Sequence, residues 1–148
     1  MRAIRILTLL FVFLAAFGGH GAIVNADAWA AFHVIVNPDN ATSAIERKFL
    51  AEAFLKKVTR WPDDELIRPV DLESSAAARR AFSDDVLKRS VAAVKSYWQQ
   101  MVFSGGGVPP LELDNEGEVV KFVLRNRGAV GYVSGGVNLQ GAKIVTVR

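Results

Sequence analysis

The sequence predicts an α/β domain, and three observations carry that expectation. Compact apolar, β-branched runs at Phe32–Val36, 129–133 and 143–147 have the look of buried strands. Between them lie stretches whose apolar residues recur every three or four positions, the period of an amphipathic helix. Clusters of proline, asparagine, aspartate and glycine separate the two kinds of segment, without an internal repeat or a low-complexity linker. Strands alternating with helices imply a mixed or mostly parallel sheet with helices packed on it.

The chain of 148 residues opens with Arg2 and Arg5, an apolar run from Ile6 to Phe17, and then small and polar residues through Ala22. This is the pattern of a cleavable secretory signal, since a membrane anchor needs about 20 apolar residues. Cleavage is expected after Ala26, with Ala22 and Ala30 as alternatives. The expected division is therefore a signal peptide over 1–26 and one domain over 27–148, with no membrane anchor once the signal is removed. Loss of Arg2 and Arg5 takes the formal charge from +3 to +1, which leaves no basic footprint for nucleic acid. The chain has no cysteine, so an exported domain must rely on core packing rather than disulfides, as suits a periplasm.

Phe32–Val36 is expected to be a buried strand that stops at the turn formers Asn37, Pro38, Asp39 and Asn40. Ser43 and Glu46 have capping-box spacing before the rows Ile45/Phe49/Ala53 and Leu50/Phe54/Val58, which predict a helix of three to four turns. Trp61-Pro62 lies beyond its end. Residues 66–72 predict a second strand, which Pro69 marks as an edge or as irregular. Helix follows from Ala76, with Ser83 and Ser90 as places where it can break and restart. Leu87, Val91, Val94, Trp98 and Met101 form one apolar stripe. Gly105–Gly107 with Pro109 and Pro110 predict a loop, Asp114 or Asn115 caps another helix, and two strands end the chain.

Candidate chemistry is sparse. His20 and His33 stand alone, and no histidine or carboxylate spacing suggests a metal site. The serines lack a nucleophile-elbow context, and the glycine loop lacks the Lys-Ser/Thr of a nucleotide-binding loop. Without a nucleophile and base, an enzyme is not expected, nor is a cofactor. Tyr97-Trp98 could stack on a ligand, but Trp98 lies on the apolar stripe and core packing is the expectation. Polar groups converge only at 68–82, where a strand passes through Ser74 and Ser75 into a helix carrying Arg79. Free N–H groups at a helix start, two hydroxyls and a guanidinium can grip an oxyanion. The same serines can equally be a plain helix cap, and Asp71 and Glu73 beside them would repel an anion.

Several phrases are similar to a known family. Val34-Ile35-Val36-Asn37-Pro38, Arg79-Arg80-Ala81-Phe82, Tyr97-Trp98 with Phe103-Ser104-Gly105 and Pro109-Pro110, and Gly128-Ala129-Val130-Gly131-Tyr132-Val133 resemble the phosphate ABC transporter substrate-binding proteins, in particular short periplasmic relatives. The resemblance implies a single lobe of a periplasmic-binding-protein (type 2) fold in the periplasm. It implies phosphate or another small oxyanion as partner with Arg79 as its grip, while Ser74 and Ser75, from the reading of the turn, lie two residues upstream of that motif and join only if the loop is re-cut. It also implies use in transport. Alanines 76–78 occupy the places where that family has hydroxyl donors, so Arg79 alone carries over by position. The alternative is a lobe without ligand that docks on an envelope transporter, porin or sensor.

Overall fold

The computed structural model describes residues 32–148. The expected signal peptide over 1–26 and its cleavage site lie outside the described residues. Six strands form one sheet: β1 (Phe32–Val36), β2 (Ala44–Ile45), β3 (Arg68–Leu72), β4 (Leu111–Leu113), β5 (Ala129–Ser134) and β6 (Lys143–Val147), in the order β2-β6-β1-β5-β3-β4. β1 runs antiparallel to both β5 and β6, whereas β2·β6, β3·β5 and β3·β4 are parallel pairs. Five strands thus point one way and β1 the other, a mixed sheet of mostly parallel sense.

Four α-helices flank the sheet: α1 (Arg47–Phe54), α2 (Ala77–Phe82), α3 (Val91–Phe103) and α4 (Glu116–Arg125). The predicted apolar faces are the buried ones. Val119, Val120 and Val123 of α4 are inaccessible to solvent, and Val94 and Trp98 of α3 are buried. α4 packs so closely on β5 that a methyl group added at Gly131 would lie 2.7 Å from Val119 and 2.9 Å from Val70. Across the sheet, Phe82 stacks on Tyr132 at 4.0 Å and 5°, with Phe54 packed against both rings. Asn115 caps α4 through Glu118 N–H at 3.0 Å, and Ser90 caps α3 through Ala93 N–H at 3.2 Å.

Two local expectations give way to tertiary pairing, and a third is narrowed to one of its two places. Ser43 does not cap α1. Ala44 and Ile45 instead pair with Thr146 and Val147, and the helix starts only at Arg47 with Glu46 as an N-cap whose side chain makes no capping bond. The eight-residue helix is correspondingly shorter than predicted. Pro69 sits in an interior strand, between β5 and β4. It is accepted because Arg68 N–H faces the C=O of Gly128, just before β5, which turns the proline nitrogen the other way, ahead of the first β4 pair at Val70–Leu111. Finally, α2 does not break at Ser83 but continues as a π-helical segment over Ser83–Leu87, ending at Lys88 in the left-handed region (φ 52°). The break comes at Ser90.

Candidate functional site

β3 and β5 are paired only at Arg68–Ala129 and Pro69–Val130. Beyond those pairs side chains bridge the two strands. Asp71 of β3, Tyr132 of β5 and Arg79 of α2 meet there, all nearly inaccessible to solvent. The Tyr132 hydroxyl donates to Asp71 Oδ1 and accepts from Leu72 N–H at 3.4 Å, supplying the partner that a continued ladder would have given. Arg79 Nη1 forms an ion pair with the same carboxylate oxygen. Burial of the phenol pushes its pKa up to about 12, although the guanidinium beside it pulls the other way. Burial likewise lowers the pKa of Arg79 from its ordinary value, opposed by Tyr132 and Glu112.

Arg79 also forms part of the wall of a hollow of about 410 Å³ between α3, the turn after β3, and β4. Ser74, Lys95, Gln99 and Glu112 supply the rest of its polar lining, and Trp98, Val102 and Phe103 much of its apolar lining. Arg79 Nε is buried and has no hydrogen-bond partner. Ser75 is turned elsewhere: its hydroxyl donates to Glu73 at 2.7 Å. Neither serine caps α2, whose N-cap is Ala76 without any side-chain bond. The hollow thus brings together Ser74 and Arg79 of the predicted residues, and does not include Ser75.

Solved structures share this arrangement of elements. An ABC-type phosphate transport receptor from Vibrio cholerae superposes with a TM-score of 0.60 at 19% identity, over 79% of this chain and 46% of the other. The chain has the fold of one lobe of a phosphate-transport receptor. A phosphate ABC transporter substrate-binding protein with bound phosphate from Clostridium perfringens gives 0.62 at 19% identity, over 79% of this chain and 44% of the other. PstS from Borrelia burgdorferi gives 0.61 at 15% identity, over 80% and 47%. The receptor-like lobe therefore spans less than half the length of these proteins. No protein-family model matches the sequence, and no curated protein matches it.

Sequence reasoning missed much of this lobe's hollow. Asp71 was expected to repel an anion from the turn, yet it points inward and is already paired with Arg79. Lys95, Gln99 and Glu112 had no motif to announce them. Lys95 and Gln99 come from the exposed side of α3, and Glu112 from a three-residue strand whose short Leu-Glu-Leu pattern resembles loop. Electrostatically the hollow is balanced rather than strongly positive, with Lys95 and Arg79 set against Glu112 and the buried Asp71. Among the described residues no group of histidines and carboxylates could hold a metal ion, and no helix is long and apolar enough to cross a membrane.

Proposed function

We propose that this chain is a periplasmic solute-binding-like protein that takes up phosphate or a similar oxyanion for transport, non-covalently, at the hollow beside β3. One observation carries the reading: Arg79, a buried arginine whose Nε N–H has no hydrogen-bond partner, lines the same hollow as Ser74. Arginine has five donors in a planar fork, so pairing of Nη1 with Asp71 does not exhaust it. Lys95 adds a mobile positive charge and Gln99 an amide donor. Ser75 joins them only by exchanging its bond to Glu73 for one to the ligand.

The likeness to phosphate receptors supports this choice of ligand class, and the balanced charge of the hollow sets an expectation of modest affinity. Export through a signal over residues 1–26 places the protein in the periplasm, and the chemistry required is binding rather than catalysis. Isothermal titration with phosphate and with sulfate tests the proposal. Heat of binding is expected from the unaltered protein, with a clear weakening in Ser74→Ala and in Lys95→Ala, both exposed positions where the fold is not at stake. Absence of heat with either anion refutes it.

A further inference from the structure

We propose that the outer edge of β4 is a docking site for an extended segment of a partner polypeptide in which apolar residues alternate with acidic ones, added to the sheet as a seventh strand. β4 ends the strand order, so it has a neighbour on one side only. Leu113 C=O accepts from Glu73 N–H of β3. Amides alternate sides along a strand, so the N–H and C=O of Glu112 face outward and are free to form a ladder.

The surroundings of that edge are equally open. Leu66, Val102, Phe103, Val108, Leu111 and Ile144 are the large apolar side chains exposed on the described surface. All but Ile144 gather about β4 and the loop that leads into it. Phe103 is 94% exposed. Two hollows flank the strand and meet at Pro109: the one described above, with Val102 and Phe103, and a second of about 560 Å³ beside Leu66, Leu111 and Phe122. A strand laid along an edge sends successive side chains to opposite faces, so one hollow receives the odd positions and the other the even.

Charge decides what those positions hold. Lys56 and Arg68 line the second hollow, and no carboxylate does. Their nearest polar partners are neutral, Pro109 C=O and Asn126 Oδ1, each at 3.4 Å. Acidic side chains of the incoming strand belong on that side. On the other side Glu112 offsets Lys95 and Asp71 pairs with Arg79, so no cation is left in excess there and an apolar residue fits beside Val102 and Phe103. A second copy of this chain is a poor occupant. Antiparallel self-pairing that uses the free Glu112 amide sets Glu112 against Glu112 or Asp114 of the other copy, acid against acid. The docking does not rest on the anion reading, and the incoming strand's apolar side chains would compete with an anion for the first hollow.

The test is an amide-resolved NMR titration of the full domain with the blocked peptide Val-Glu-Val-Glu-Val and its counterpart Val-Lys-Val-Lys-Val. The acidic peptide should shift the Glu112 amide and slow its hydrogen exchange; the basic one should leave it unmoved. Arg68→Glu, at an exposed side chain, should weaken the acidic peptide by roughly fivefold, the worth of a partly exposed ion pair. An unchanged Glu112 amide at millimolar acidic peptide overturns the proposal. Equal response to both peptides overturns it as well, since that is adhesion to the apolar patch. So does a concentration-dependent shift at Glu112 without peptide, which makes a second copy the occupant.

Discussion

Removing the Arg79 side chain should cost the domain about 3 kcal/mol, because it strands a buried carboxylate. The Arg79 and Asp71 side chains are 7% and 6% exposed, so neither charge is relieved by water. Breaking such a pair from one side costs about 3–5 kcal/mol in general. The lower end applies here, since Asp71 keeps the hydroxyl proton of Tyr132. At about 4 °C per kcal/mol for a domain of this size, Arg79→Ala should lower the melting temperature by about 12 °C. Asp71→Asn should be milder, because the amide still accepts from the phenol. The double variant Asp71→Leu/Arg79→Met should lose much less than the sum of its single variants, since it removes both charges and leaves neither stranded. Urea and thermal denaturation followed by circular dichroism read all of these. A cost under about 1 kcal/mol for Arg79→Ala, or strict additivity in the double variant, refutes the stranded-charge reasoning. The result also governs ligand assays: loss of anion binding in Arg79→Ala is ambiguous if the variant is partly unfolded.

Other consequences are local. Gly131→Ala should cost about 1–3 kcal/mol by overpacking against Val119 and Val70, and Val119→Ala in the same chain should return part of it, as judged from urea midpoints. Asn115→Ala should cost about 1 kcal/mol and raise amide exchange in the first turn of α4, whereas Asn115→Ser should be nearly silent. Tyr132 has a folded pKa of about 12, above the usual value of 10. Its contribution is therefore complete below about pH 10 and lost as pH rises through about 12, a fall of roughly 2–3 kcal/mol that Tyr132→Phe should flatten.

What could be read from the sequence was the part of the fold governed by local pattern. β1, β5 and β6 are short, mostly apolar runs with several β-branched residues, and the four-residue rows of α1, α3 and α4 point to the core as the period requires. The failures share one cause, which is competition from distant backbone. A sound capping box at Ser43–Glu46 loses to the ladder that Ala44 and Ile45 make with the last strand, about a hundred residues away. β4 is invisible because three residues carry too little pattern, and its existence depends on β3 being there to pair with. At the candidate site, Ser74 and Arg79 were legible as a turn and a helix start. The inward direction of Asp71 was not, because it depends on where β5 places Tyr132.

The departure of β3 from the β5 ladder ties the site to the stability of the domain. A parallel ladder continued past Pro69–Val130 would have satisfied Leu72 N–H with a carbonyl; Asp71 Oδ1 at 3.2 Å and a phenol from β5 at 3.4 Å share that role instead. That phenol needs a fixed acceptor, Asp71 provides it, and the buried carboxylate in turn needs a cation, which is Arg79. The guanidinium is thus held in place by the opening of the sheet, with Nη1 on the carboxylate and its Nε N–H buried and without a hydrogen-bond partner. If the hollow takes the proposed anion, this one side chain serves both the fold and the ligand. Its position is preorganised, so no entropy is spent ordering it when a ligand arrives. The same arrangement makes Arg79 the wrong place to tune affinity, since any change there unbalances the core first. Adjustment of ligand strength or selectivity falls to Ser74, Lys95 and Gln99, which are exposed and carry no such structural duty.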